Sequence, residues 1–136
     1  MNLLIIDGQG GRLGSQLVQA AAVRFPQARI CAVGTNAMAT AAMIKAGAHQ
    51  GATGENPVIV ACRTADVIVG PVGIVIADAL YGEVTPAMAV AVGQSRAVRV
   101  LIPINKCENQ VAGVAEQPLA ALVDDALRRV AAALHA

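Results

Sequence analysis

The sequence predicts an α/β domain of three layers, a mainly parallel sheet with helices on both faces. Three observations predict it. Apolar runs of strand length alternate with longer amphipathic segments from one end of the 136 residues to the other, the pattern of repeated βαβ units. The runs are continuous, as in Leu3-Leu4-Ile5-Ile6, which suits strands buried on both sides. A glycine cluster, Gly8-Gln9-Gly10-Gly11-Arg12-Leu13-Gly14, joins the first run to a segment with helical spacing.

Taken in order, Leu3–Ile6 is the first strand, and the helix after Gly14 must stop at Phe25-Pro26, because proline bars its predecessor from helical geometry. Arg29–Val33 is the second strand. Thr35 or Asn36 caps a helix over Ala37–Ala46, and Gly47 ends it. A very short third strand is expected around Ala48–Gly51. Asn56-Pro57 reads as a cap followed by proline in the first helical position, opening a short helix to about Thr64. Asp66–Val69 is the central strand, followed by Gly70-Pro71-Val72-Gly73 and an apolar segment to Leu80. Thr85-Pro86 repeats the cap-and-proline signal for a helix to about Gln94. Arg99–Ile102 is a further strand, Val111–Val114 a brief one, and Pro118 opens the last helix, where Leu119, Leu122, Val123, Ala126, Leu127, Val130 and Leu134 recur at helical spacing. No linker or internal repeat interrupts this series, so residues 1–136 read as a single domain.

Composition excludes several functions. The net charge of +1 offers no basic patch for nucleic acid. Phe25 and Tyr81 are the only aromatic residues, so there is no platform for stacking single-stranded bases, and an adenine ring is expected to lie between aliphatic side chains. No apolar stretch approaches the ~20 residues that a bilayer demands, and no basic segment precedes the first apolar run as in a signal peptide. Three cysteines without motif spacing, Cys31, Cys62 and Cys107, fit a reducing cytoplasm. His49 and His135 are isolated, and no cluster has metal-ligand spacing. With 56% hydrophobic and only 14% charged residues, part of the surface is expected to be covered by another copy of the chain; a homo-oligomer is predicted, with a dimer favoured.

The glycine corner is the strongest functional signal. Gly8 permits the sharp exit from the first strand, Gly11 a close approach to a pyrophosphate, and Gly14 tight packing of the helix. Free amides at that helix N-terminus, with the helix dipole, attract an anion. The spacing, glycine at 8, 11 and 14 with Gly10 added, departs from G-x-G-x-x-G. A turn that binds nothing needs the same glycines.

Ligands of open parallel sheets sit beyond the carboxyl ends of the strands. There the sequence places Gly8 to Gly14, Gly34-Thr35-Asn36, Gly70-Pro71 and Asn105. Together these are the candidate binding residues. Thr35 and Asn36 suit either capping or hydrogen bonding to a ribose or phosphate. Neither an acid for the ribose of NAD nor an arginine for the 2′-phosphate of NADP stands after the second strand. NAD(P) or another adenine nucleotide is thus the expected cofactor class, without a choice among them. Glu83 is a lone carboxylate in a turn, Gly51–Asn56 is either a second anion-facing loop or a plain connection, and Cys107 follows Lys106, whose charge favours a thiolate.

The stretch from Gly8 to Ala20 resembles the opening of the dihydrodipicolinate reductases. This resemblance implies phosphate cradling by the backbone of Gly11, Arg12 and Leu13, but the chain has no counterpart of the substrate-binding domain of those enzymes. Over its full length the chain resembles a small bacterial Rossmann-like family, domain of unknown function 3842, through Ile6–Gly11, Gly34–Ala37, Gly51–Asn56, Gly70–Gly73, Gly82–Pro86 and Ile102–Asn105. That resemblance implies a fold and a shared site without an assigned activity. Three functions remain open on the sequence: nucleotide or dinucleotide binding at Gly8–Gly14, an NAD(P)-dependent oxidoreductase whose site a partner subunit completes, and a scaffold without ligand. No residue is assigned a catalytic role.

Overall fold

The computed structural model describes residues 1–104 and 108–135. Its elements are β1 (Asn2–Asp7), α1 (Arg12–Arg24), β2 (Arg29–Gly34), α2 (Ala37–Ala46), β3 (Gln50–Thr53), α3 (Glu55–Cys62), β4 (Val67–Pro71), a 3-10 turn (Val72–Val75), α4 (Pro86–Gln94), β5 (Val98–Ile102) and α5 (Leu119–Leu134). All four strand pairings are parallel, and the order is β3-β2-β1-β4-β5. The direction of strand addition therefore reverses after β3, leaving a switch point between β1 and β4, where parallel sheets open a crevice.

Alternate residues of the apolar strands feed two cores. Leu3, Ile5, Val67 and Val69 pack with Leu17 and Val18 of α1, Met43 of α2 and Leu127 of α5. Leu4, Ile6 and Ile68 pack with Val58 of α3, Ile74 and Leu80, and Met88 and Val92 of α4. This division puts α1, α2 and α5 on one face and α3 and α4 on the other. It explains why β1 and β4 lack the polar alternation of half-buried strands. β3, Gln50-Gly51-Ala52-Thr53, is short, polar and only partly buried, as befits an edge.

Most boundaries fall where local chemistry puts them. Phe25 ends α1 before Pro26; Asn36 caps α2 by accepting from the Ala39 amide at 2.9 Å; Thr85 caps α4 with Pro86 in its first position. Four expectations change. The third strand is Gln50–Thr53 instead of Ala48–Gly51, so Gly51–Asn56 is the end of that strand and the start of α3 and not a loop. Helix α3 begins at Glu55 after Gly54, whose φ is 103°, so Pro57 occupies the third helical position. Proline is tolerated there because the first-turn amides have no intrahelical acceptor, and the turn closes through Val58 N to Gly54 O at 3.2 Å. Gly70 and Pro71 are not a loop after β4 but its last two residues, both buried. Val111–Val114 is not a strand: it joins no sheet, and both valines are exposed. No helix among the described residues is long and apolar enough to cross a membrane.

Candidate functional site

The glycine turn sits where β1 hands over to α1, beside the switch point. Gln9, at φ 51°, and Gly11, at φ 73°, bend the chain, and the Gly11 amide closes the turn on the Gly8 carbonyl at 2.9 Å. Helix α1 receives no side-chain cap from its own N-cap residue, Gly11. The cap comes from β1. Asp7, only 4% exposed, accepts the Gly8 amide at 2.8 Å and the Gly14 amide at 2.7 Å. Burial raises its carboxyl above the ordinary value, the two amide bonds oppose that shift, and the charge of Glu83 adds to it.

Glu83 is the centre of a second cluster. Its Oε1 accepts the Gln9 amide at 2.9 Å, the Thr35 hydroxyl at 2.6 Å and the Asn36 Nδ2 at 2.9 Å. Burial alone raises its carboxyl, but the bonds from Thr35, Gln9 and Asn36 together hold it below its ordinary value. Its other oxygen, Oε2, accepts no hydrogen bond from the described residues. Asn36 further donates to the Gln9 carbonyl at 2.9 Å, locking the turn to the start of α2.

Glu83 reaches this position through an unusual loop. Leu80, Tyr81 and Gly82 all lie at left-handed φ, 57°, 57° and 84°, after Asp78 at 67°. Non-glycine residues in this region cost about 1–2 kcal/mol each. Leu80 anchors the loop by burying its side chain in the second core. Tyr81, at 99% exposure, is fully presented to solvent.

The sequence expected the amides of the turn to be free, and they are only partly so. Gly8, Gln9 and Gly14 donate to Asp7 and Glu83, and Gly11 to Gly8. The amides of Gly10, Arg12 and Leu13 have no acceptor among the described residues, and the Arg12 side chain is exposed. Gly11 serves the fold first: a Cβ there would lie 2.8 Å from Ala39 Cα, where α1 meets α2. Gly14 packs as expected, close to Asp7 and to Met43 of α2.

The remaining candidates divide. Gly34, Thr35 and Asn36 lie beside Gly8 and Gln9, with the Thr35 amide on the Asp7 carbonyl at 3.0 Å. Gly70 packs its backbone on the Ile6 carbonyl, so its glycine answers to strand packing. Asn105 and Cys107 lie outside the described residues. Cys31 and Cys62 are core-facing thiols, both raised by burial, Cys62 to about 11. His49 accepts the Ile30 amide through Nδ1 at 3.0 Å, a structural bond. Among the described residues no group of three His, Cys, Asp or Glu could hold a metal ion. Thr53, in the Gly51–Asn56 segment, bonds Thr40 through the two hydroxyls at 2.7 Å. A cavity of about 590 Å³ lies away from the turn, between α3 and the sheet, over Leu4, Cys31, Val33 and Ala52.

Sequence reasoning noticed Glu83 but could not place its partners. The one signal was compositional: Gly82-Glu83-Val84-Thr85 is a polar turn in an otherwise apolar stretch.

The strand order and the glycine turn after β1 define a Rossmann-like α/β domain. The chain belongs to the family described as Domain of unknown function (DUF3842), which it matches over residues 2–135. No curated protein matches it. Among solved structures it is similar to a dodecameric FMN-dependent Ubix-like decarboxylase from Escherichia coli O157:H7, at 15% identity and a TM-score of 0.46, over 95% of this chain and 94% of that one.

Proposed function

We propose that this protein binds a nucleotide or dinucleotide through the turn between β1 and α1. The observation that carries the reading is the state of the α1 N-terminus. Asp7 satisfies the Gly14 amide from the core side, while the Arg12 and Leu13 amides, with Gly10, keep their donors for an anion. The exposed Arg12 guanidinium adds a second, charged donor to a phosphate. Glu83 supports the sugar half of the reading. It brings to the end of β2 the carboxylate that the local sequence lacks, with Oε2 available to a ribose hydroxyl. None of its hydrogen-bond partners is a cation, which favours an unphosphorylated ribose over a 2′-phosphate.

The reading takes residues 1–136 as one binding domain in the cytoplasm, consistent with Cys31 and Cys62 being free thiols. Native mass spectrometry of freshly purified protein, followed by titration calorimetry with ADP, NAD and NADP, tests it. A retained or titratable nucleotide is expected. Arg12→Ala should weaken its binding by about tenfold with the fold intact. Absence of binding by all three at millimolar concentration overturns the proposal.

A further inference from the structure

The outward faces of α3 and α4 carry almost no charge. Helix α4, Pro86-Ala87-Met88-Ala89-Val90-Ala91-Val92-Gly93-Gln94, has none, and α3 has Glu55 alone. Val58, Cys62, Met88 and Val92 are buried in the core, yet Val60 remains 46% and Val90 52% exposed. A helix that is apolar on all sides belongs in an interior. The opposite layer carries more charge, although Val23 of α1 and Met38 and Ile44 of α2 are also exposed there. There Arg24 pairs with Asp124, Arg128 with Asp124 and Arg129 with Asp125, and these are all the ion pairs among the described residues. Taking the two helices of each neighbouring pair together, charge is scarcest on the α3–α4 face.

That face is also polarised along its length. α3 and α4 run side by side in the same direction. Their N-terminal ends are joined by the Thr85 hydroxyl donating to Glu55 at 2.6 Å, and their C-terminal ends by the Ser95 hydroxyl donating to the Cys62 carbonyl at 2.9 Å. Glu55 marks the first end. Arg63 and Arg96, both exposed and without an ion pair among the described residues, mark the second, around a cavity of about 320 Å³.

From this pattern we infer that a second copy of the chain covers the α3–α4 face, related by a two-fold axis that crosses the helices. A dyad in the plane of the face has two simple orientations. Along the helices, it would set arginine ends against arginine ends with the helix dipoles parallel. Across them, it runs the helices antiparallel, brings Glu55 of each copy to Arg63 of the other, and opposes the dipoles favourably. Val60 and Val90 then fall near the axis, as an apolar centre within a charged rim. The inference goes beyond nucleotide binding and does not depend on it, since it rests on the outward faces of α3 and α4 and not on the glycine turn or on Glu83 in the loop before α4.

Sedimentation velocity on the full chain at tens of micromolar tests this, with circular dichroism to verify folding. Wild type should sediment as a dimer. Val60→Asp with Val90→Asp should raise the dimer dissociation constant by about 100-fold or more. Val23→Asp, on exposed α1, should leave it unchanged. Glu55→Arg should weaken the dimer by about tenfold, and Glu55→Arg combined with Arg63→Glu should restore it. A monomeric wild type, a dimer indifferent to the paired aspartates, or a charge exchange that fails to restore association overturns the inference. Because exposed positions carry every change, misfolding of the paired-aspartate variant is not expected. Should it occur, the charge exchange decides alone.

Discussion

The Glu83 carboxylate accepts the Thr35 hydroxyl at 2.6 Å across 48 residues of sequence. The same oxygen takes the Gln9 amide, so one side chain ties together the ends of β1 and β2 and the loop that follows the 3-10 turn. Gly8 is packed beneath it. A Cβ at Gly8 would lie 2.5 Å from Thr35 Oγ1, 2.8 Å from Leu80 Cδ1 and 2.9 Å from Glu83 Oε1.

Gly8→Ala should therefore cost about 1–3 kcal/mol through overpacking. Gly10→Ala, with nothing within 4 Å of the new atom, should change stability by less than about 0.5 kcal/mol. Gly11→Ala meets both a left-handed φ and the Ala39 backbone and should cost about 2 kcal/mol or more. Urea unfolding of the three variants checks the order. Equal costs at Gly8 and Gly10 would contradict the packing described.

The two carboxylates should give opposite pH signatures. Asp7 is raised above 3.8, so its ionisation is costlier in the folded state, and stability falls as pH rises from 3.8 through the raised value. Asp7→Asn offers one acceptor to two amides and should lose about 1–2 kcal/mol, with the gap to wild type narrowing across that window.

Glu83 is lowered below 4.5. Its contribution is present above 4.5 and disappears as pH falls through the lowered value. Wild type should therefore exceed Glu83→Gln in stability at neutral pH, by less than about 1 kcal/mol for so accessible a group, and converge with it in acid. Denaturant titrations from acid to neutral pH distinguish these signs.

Tyr81 adopts φ 57° while its ring touches only solvent. Tyr81→Asn should stabilise the fold by about 0.5–1 kcal/mol, since asparagine tolerates this conformation without the chain entropy of glycine. Thermal unfolding reads the gain. A loss would mean that the ring supports the loop.

With Cys62 pushed up to about 11 by burial, its thiolate at mildly alkaline pH is about one part in 10³. Native protein should leave Cys62 unalkylated by iodoacetamide over times in which urea-unfolded protein reacts completely, as peptide mass spectrometry would report.

The sequence by itself determined the apolar strands of the sheet, the caps of α2 and α4 and the glycine turn, whereas its Asn56 cap and its Val111–Val114 strand are not formed. Continuous apolar runs, Asn36, Thr85-Pro86 and Phe25-Pro26 act on their own neighbours, through burial on two faces, side-chain capping and the steric effect of proline. Only the tertiary structure decided the electrostatics of the turn. Asp7 was plain in the sequence, but not that it reaches the Gly14 amide. Glu83 stood in an isolated turn, and strand order brought its loop across the end of β1 to Thr35 and Asn36. Gly70 and Pro71 entered β4 because β5 pairs with it along its length, setting Leu101 and Ile102 beside them, which no local pattern specifies. Hydrogen bonds between distant segments depend on the path of the whole chain, whereas caps and periodicity depend on a few adjoining residues.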